Sequence, residues 1–530
     1  MVQTSCRCES FHDASFINWG FRIGQDSFCE TGEIWLAMRY PKVLFGCDAS
    51  LLEGRSPTRL APGRGSLSRA FKPTRLTSMR KNTFTGLGLL LALFGTLSAK
   101  TPPNIVYIIS DDQAWTDYGF MGHPQIKTPH LDQLAAESVV FRRGYVPTAL
   151  CRPSLLTLAT GQYAHVHGVT GNDPSPKYAK RDSEAYQKNR AQLIAYLDKF
   201  QTLPDLLSTK DYLSHQSGKW WEGSYQHGGF THGMTRGFPK PGGRHGDDGL
   251  KIGREGMEPI RNFVDEAVAE GKPFFLWYGV FLPHTPHNPP KRLLQTYVDQ
   301  GLPVPVAKYY ANCEWFDETV GELIDILEAK EIRDDTLIVY VTDNGWINRT
   351  DRTAYAPRSK QTPYEGGVRT PIMFSWPNGN LKPGERNEVI SSIDLFPTAL
   401  AAAGVSIPQD VPGLNLLESM QKNRAIDRSG IFGEGFAHDI ADIEKPEASL
   451  LYRWRIEGKW KLLLTYDGEV NRYKSSHPRE ELRPQLFDLS ADPHEKTNVA
   501  AEHPDVVSRM AAKIQSWWPV EERKTLMTFE

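Results

Sequence analysis

Three long apolar runs set the architecture of this chain. Residues Asn104–Ile109, Phe274–Leu282 and Thr336–Val341 are continuously apolar and rich in β-branched or aromatic side chains. Runs of this kind predict strands buried on both faces, as in a parallel sheet covered by helices. Val139–Tyr145, Tyr212–Ser217, Pro371–Ser375 and Ile390–Asp394 read as further strands. Between them the spacing turns helical. Thr128–Val139 has helical spacing ahead of the Val139 strand, and Leu203–Leu207 starts a short helix. Ile260, Phe263, Val264, Ala267 and Val268 mark one amphipathic helix; Tyr309, Cys313, Phe316, Val320, Ile324 and Leu327 mark another. Leu395–Ala403 and Val506–Trp517 complete the helical set, while Gly161–Val169 alternates as a strand or turn does.

From about residue 445 the pattern changes. Leu451–Ile456 and Trp460–Tyr466 flank Glu457-Gly458-Lys459, which predicts a β-hairpin, and Leu486–Leu489 adds a strand. The fold expected is α/β: a large mixed, mostly parallel sheet flanked by helices over 100–440, with a smaller C-terminal antiparallel α+β subdomain over 441–530.

The first hundred residues change this picture. Met79-Arg80-Lys81, an apolar stretch from Gly86 to Phe94 and the small-residue exit Thr96–Ala99 read as a secretory signal over 79–99. Residues 1–78 are then expected to be a non-native upstream extension. They hold four of the six cysteines and a net charge of +3, against −2 for the whole chain. Only Cys151 and Cys313 remain beyond them, so disulfides do not build the fold. The expected location is periplasmic or extracellular. No apolar run is long enough for a membrane span after signal removal, and the mildly acidic balance gives no reason to expect nucleic acid.

The chemistry gathers at the ends of the apolar runs. The first run exits into Ser110-Asp111-Asp112 and the third into Thr342-Asp343-Asn344-Gly345. In open α/β sheets ligands bind beyond the carboxyl ends of strands. One aspartate would suffice to cap a turn, whereas two side by side repel unless a cation or donor lies between them. Asp111, Asp112, Asp343 and Asn344 offer only oxygen, a set that selects hard cations such as calcium or magnesium. The second run leads into Pro283-His284-Thr285-Pro286-His287, where prolines would aim an imidazole. Cys151 precedes Arg152-Pro153-Ser154 at an expected helix start that Gly161 would end, and unpaired N–H groups there favour an anion. Lys219, after the Tyr212–Ser217 strand, is a candidate anion ligand or merely a surface residue, and Lys360 supplies a further cation for an anion. Residues 171–200, with Lys177, Lys180, Arg181, Lys188 and Arg190, suggest a surface insertion, either a basic lip or a solvated face. The Gly-rich stretch 223–256 carries His227, His232 and His245, any of which could approach a site.

In this order the motifs resemble those of the sulfatase family, within the alkaline-phosphatase-like superfamily, from about residue 102 to 500. Asn104–Gln113, Cys151-Arg-Pro-Ser154 with Thr160-Gly161, Gly218-Lys219-Trp220, Pro283–Pro286, Thr342–Gly345 and Lys360 through Gly367 carry the resemblance, together with Leu486–Leu489, Asp492–Glu495 and Asn498. It implies that a formylglycine-generating or anaerobic sulfatase-maturating enzyme converts Cys151 to formylglycine (3-oxoalanine), whose hydrate attacks sulfur. It implies Ca2+, with Mg2+ as the alternative, on Asp111, Asp112, Asp343, Asn344 and the modified residue 151. Lys219 and Lys360 would then neutralise the sulfate, and His284, with Lys360, would protonate the leaving oxygen. Two positions depart from the family pattern: Leu155 stands where an arginine is usual, and Trp221 where a histidine is usual. Arg152 and Trp221 join Lys219, His284 and Lys360 as expected substrate contacts, and the substrate expected is a sulfated carbohydrate. A phospho- or phosphonate-ester hydrolase of the same superfamily and a non-catalytic binder of anionic glycans are the competing readings.

Overall fold

The computed structural model describes residues 102–521, apart from 178–179, 182, 240–241 and 474–482. The expected signal at 79–99 and the upstream residues 1–78 lie outside the described residues. In chain order the strands are β1 (Asn104–Ser110), β2 (Val139–Tyr145), β3 (Asp173–Pro174), β4 (Leu213–Gly218), β5 (His232–Gly233), β6 (Phe274–Gly279), β7 (Thr336–Thr342), β8 (Arg369–Ser375), β9 (Gly384–Arg386), β10 (Ile390–Ser391), β11 (Ile431–Phe436), β12 (Asp439–Ile440), β13 (Leu450–Glu457), β14 (Trp460–Thr465) and β15 (Gln485–Asp488).

Nine strands form one sheet in the order β10-β2-β8-β7-β1-β6-β4-β5, with β9 also paired to β2. Only β8 runs against its neighbours in this sheet; the other pairs are parallel. The apolar runs are continuous because both faces are covered. Ile105, Tyr107 and Ile109 of β1 enter one core with Leu155, Leu158 and Leu400, while Val106 and Ile108 enter the other with Val264, Phe316 and Val320. β7 divides its side chains in the same way. Each such fully buried aliphatic side chain contributes about 1.5–3 kcal/mol.

Several boundaries differ from the sequence expectation. The strand expected over Phe274–Leu282 ends at Gly279, whose partner Gly218 is the last residue of β4. Ile390–Asp394 gives only a two-residue strand, because Ser391 and Asp394 form a reciprocal cap that turns the chain into a helix. Residues Ala164–His167 are a single helical turn, not a strand. The 171–200 segment is partly built into the protein: its helix Glu184–Ala195 buries Tyr186, Arg190, Leu193 and Ile194, while Lys177, Lys180, Arg181 and Lys188 stay exposed. Among the described residues no helix is long and apolar enough to cross a membrane.

The expected small antiparallel layer is the sheet β11-β13-β14-β15. One face holds Leu462, Leu464 and Leu486 against Val507, Met510 and Ile514 of the Pro504–Trp517 helix. The other face places Trp454, Ile456, Leu463 and Phe487 in the core that also contains β1. An ionic node fastens the two layers. Lys461 Nζ of β14, fully buried, lies 2.9 Å from Glu365 Oε1 and 2.9 Å from Glu495 Oε1. Glu495 accepts the Glu365 N–H at 2.6 Å, and the Tyr145 hydroxyl donates to Glu365 at 3.1 Å. Breaking a buried ion pair strands the remaining charge and costs about 3–5 kcal/mol. Lys461→Met is therefore expected to lower unfolding stability by about that amount, read as a shift of the urea midpoint.

Candidate active site

Four neighbouring strands, β7, β1, β6 and β4, end at one edge of the large sheet and deliver most of the site. The β1–β7 register pairs Ser110 with Thr342, so the two polar exits emerge side by side. The Asp343 N–H then donates to the Ser110 carbonyl at 2.9 Å and the Gln113 N–H to the Asn344 carbonyl at 3.2 Å. The Asp112 N–H donates to Asp343 Oδ1 at 3.1 Å. Asp112 itself adopts the left-handed region, φ 65°, an unusual conformation for a non-glycine residue and one that marks functional turns. On the other side Asp111 N–H reaches the Leu282 carbonyl at 3.0 Å, next to the loop that carries His284. Lys219 N–H bonds the Gly279 carbonyl at 2.9 Å. Gly218, just before it, is obligatory: φ is +84° and a Cβ there would lie 1.7 Å from the Gly279 oxygen.

Cys151 arrives from β2, on the far side of β8. It opens the helix Cys151–Thr160, which Gly161 ends at φ 69°. The side chain of Asn172 accepts the Arg152 N–H at 3.1 Å and so satisfies one donor of the first turn. Lys360 comes from the segment that precedes β8. Because β8 is reversed, its start lies at the same edge as the other strands' ends.

The side chains converge. Lys219 Nζ stands 2.8 Å from Asp111 Oδ1 and 3.5 Å from Cys151 Sγ. Lys360 Nζ stands 2.6 and 2.7 Å from the two Asp112 oxygens and 3.2 Å from the same sulfur. Asn344 Nδ2 donates to Asp112 Oδ1 at 2.5 Å, and His284 Nε2 lies 3.3 Å from Asp112 Oδ2. One ligand atom each from Asp111, Asp112, Cys151 and His284 lies within 4.8 Å of the others. Asp343 Oδ2 and Asn344 Oδ1 are buried and have no hydrogen-bond partner among the described residues. Unpaired oxygens beside crowded carboxylates are what a hard divalent cation satisfies, so this donor set fits one.

The electrostatics follow from burial and crowding. Burial, with the added charges of Asp343 and Asp112, holds the Asp111 carboxyl well above its usual range against the pull of Lys219. Burial likewise lifts Asp343 to about 6. Both lysines are raised: burial disfavours the ammonium, but the acidic neighbours together, led by Asp111 for Lys219 and by Asp112 for Lys360, outweigh it. Burial, then the two ammonium charges, holds the His284 imidazole well below its usual value and therefore neutral. Its Nδ1 is 2.5 Å from the Thr285 carbonyl, which leaves Nε2 to face Asp112.

The other expected contacts are placed differently. The Arg152 guanidinium is fully buried and bonded twice to Glu222 at 2.7 Å, with Nη1 donating to the Asn172 carbonyl at 3.2 Å. It offers no face to a ligand. Leu155 packs in the core beside it. Trp221 is buried with its ring 5.4 Å from Lys219 Nζ, and the Phe281 ring lies 5.0 Å from the same ammonium. Of the three histidines in the Gly-rich stretch, His245 is the one that packs against this wall, 5.1 Å from Trp221 and 5.9 Å from Phe281. Sequence reasoning missed Glu222, Phe281 and Arg254. Arg254 bonds the Phe281 and His284 carbonyls at 2.9 and 3.1 Å and so braces the histidine loop. No local pattern marks these residues, since their partners are distant in sequence.

The sulfatase family model matches residues 103–405, and a model described as N-sulphoglucosamine sulphohydrolase, C-terminal, matches 358–518. The chain is 28% identical over 471 residues to N-acetylgalactosamine-6-sulfatase of Homo sapiens, covering 79% of this chain and 86% of that one. It is 29% identical over 469 residues to arylsulfatase A of Bos taurus, covering 78% and 86%. In fold it resembles the crystal structure of Ps i-CgsB, with TM-score 0.63, 24% identity, and 79% of this chain and 93% of that chain covered.

Burial pushes the Cys151 thiol up to about 12, despite both lysines. An unmodified thiol at residue 151 is thus expected to carry on the order of a thousandfold less thiolate at neutral pH than a free cysteine. Iodoacetamide at pH 8 should leave the residue-151 peptide of the folded, unmodified chain unlabelled and should label it fully in urea. Peptide mass spectrometry reads both.

Proposed function

Because the chain belongs to the sulfatase family, a family of sulfuric ester hydrolases, we propose that it removes sulfate from sulfated carbohydrates, using a formylglycine made from Cys151 and a calcium ion held by Asp111, Asp112, Asp343, Asn344 and residue 151. The observation that carries this reading is the convergence of both lysines on residue 151, 3.5 and 3.2 Å from its sulfur, beside an oxygen-only donor set with two unpartnered atoms. Magnesium is the other hard cation suited to such donors. Export to the periplasm or beyond, maturation by a formylglycine-generating or anaerobic sulfatase-maturating enzyme, and a catalytic unit over 100–440 with a C-terminal unit over 441–530 complete the proposal.

The charge count supports an anionic substrate. Three buried carboxylates against two ammonium groups leave one excess negative charge, which a divalent ion would invert. A divalent ion supplies Lewis-acid polarisation of sulfate oxygens, and a hydrated aldehyde supplies a hydroxyl nucleophile and a route for releasing sulfate. The rest falls to the chain's own residues. Lys219 and Lys360 hold their protons firmly and stabilise charge on the sulfate oxygens. His284 is fixed through Nδ1, so the proton for the leaving oxygen belongs on Nε2. Burial and then the lysine charges hold this imidazole neutral; an entering sulfate offsets the lysine charges and in that respect favours the protonated form. Arg152 acts through the Glu222 pair, which fastens the helix start to the Lys219 exit. Trp221 walls the Lys219 side of the pocket. A sulfated sugar fits these aromatic walls and accords with the relatives named for sulfated N-acetylgalactosamine.

The test combines chemistry at residue 151 with turnover. In protein from a host with a maturating enzyme, the residue-151 peptide should have lost sulfur and two hydrogens and gained one oxygen. That protein should cleave an aryl sulfate, lose activity to a chelator and regain it with calcium. Lys360→Ala should lower kcat/KM by about 10²–10³. An intact thiol would remove the formylglycine route, preference for an aryl phosphate would favour a phosphoester hydrolase, and chelator-resistant glycan binding without turnover would favour a non-catalytic binder.

A further inference from the structure

The Gly-rich stretch that follows β4 brings a further cation to the Trp221 wall of the site. Arg244 Nε donates to Asp173 Oδ2 at 2.7 Å, and its Nη2 donates to the same oxygen. The other oxygen of Asp173 is taken by Arg190 Nη1 at 2.7 Å and by the Tyr186 hydroxyl at 3.0 Å. Arg190 Nη2 also donates to the Arg244 carbonyl. Two guanidinium groups thus share one carboxylate, and one positive charge is left over. It falls on the outer partner, since the Arg190 side chain is 1% exposed and that of Arg244 is 32% exposed. Arg244 Nη1 has no partner among the described residues.

The neighbouring charges are already committed. Glu222 is matched by Arg152, and Asp439 is bonded by Arg472 at 2.8 Å and His438 at 2.7 Å. No adjacent carboxylate among them is free to cancel Arg244. Its guanidinium carbon lies 6.0 Å from the Trp221 ring, the same indole that stands 5.4 Å from Lys219 Nζ. One tryptophan therefore separates the spare cation from the ammonium beside residue 151, a separation within the span of a mono- or disaccharide. A guanidinium held by two bonds to a buried carboxylate, with an open edge, is pre-organised to take an oxyanion.

We propose that Arg244 recognises a second anionic group, a carboxylate or a further sulfate, on the sugar that carries the scissile ester or on its neighbour. This rests on the sulfatase reading and narrows it: the substrate is a polyanionic glycan, not a singly sulfated neutral one. Asp173 and Arg190 are positioning residues that hold Arg244 in place.

The experiment compares wild type and Arg244→Gln on three soluble substrates: a monosulfated hexoside, its disulfated counterpart, and a sulfated disaccharide with a neighbouring uronate. For at least one of the two doubly charged substrates, the ratio of its kcat/KM to that of the monosulfated hexoside should fall about 10- to 100-fold in the variant, mainly through KM. The substrate whose ratio falls identifies the second group as sulfate or carboxylate. Arg244→Lys should recover part of the ratio and substitutes if the glutamine variant does not fold. Ratios unchanged in the variant overturn the proposal. If wild type turns over none of the three, the sulfatase reading fails separately, and calorimetric titration with the same saccharides decides on Arg244. Tighter binding of a doubly charged saccharide by wild type than by the variant supports its role; equal or absent binding overturns it.

Discussion

Like charges forced together at the end of a buried sheet are the constraint that the rest of the molecule answers. The parallel pairing of β1 with β7 leaves no freedom in where Asp111, Asp112, Asp343 and Asn344 emerge. In a medium of low polarisability such a cluster repels itself strongly. The surrounding segments reduce that repulsion from several directions: Lys219 from the far side of β6, Lys360 from the segment before β8, and the Asp112 amide within the turn itself. The lysines gain from this as much as the carboxylates do, since neither ammonium would keep its proton so firmly in that depth alone. The site is therefore one electrostatic unit assembled from segments far apart in the chain, and each part is intelligible only with the others present.

The smaller sheet extends the same logic outward. Glu365, near the start of β8, is held by Lys461 of β14 and donates its N–H to Glu495. Glu495 in turn offers its backbone carbonyl to Arg358 Nη1 at 2.6 Å, two residues before Lys360. The segment that carries Lys360 is thus clamped on both flanks by the C-terminal layer. A side chain held in a crowded ionic cluster needs a fixed base, and for Lys360 that base is supplied by the smaller sheet.

Much of this was legible in the residues. Buried strands declare themselves by apolar runs, and polar residues at their ends stand out for the same reason; Asp111, Asp112, Asp343, Asn344 and His284 are all found where those runs stop, while Lys219 follows the more polar Tyr212–Ser217 strand. Cys151 is marked by the proline and glycine that frame its helix. Partners set by tertiary approach are not legible. Arg152 looks like a spare cation beside Cys151 until Glu222, 70 positions away, takes its Nε and Nη2 donors. Arg190 reads as one more solvated charge until Asp173 buries it. Strand lengths were overrun where capping or pairing intervenes, as at Ser391 and Gly279, because hydrophobicity alone does not tell a strand from the turn that follows it.

The reversal of β8 has a consequence for how such a site can vary. Residues 343–368 leave one strand and join the next at the same edge of the sheet, so this stretch forms an arch over the opening with both footings fixed. Its base is drawn shut where the Gly345 N–H meets the Gly367 carbonyl at 2.8 Å, in a gap so narrow that a Cβ on Gly345 would lie 2.1 Å from the Gly366 oxygen. The crown, residues 350–353, is exposed and lies beyond the bridged pair Asn348 and Tyr355. Insertions or deletions in the crown can reshape the vault above the pocket while the abutments stay put, so the breadth of ligand admitted and the reaction carried out beneath it are separately adjustable.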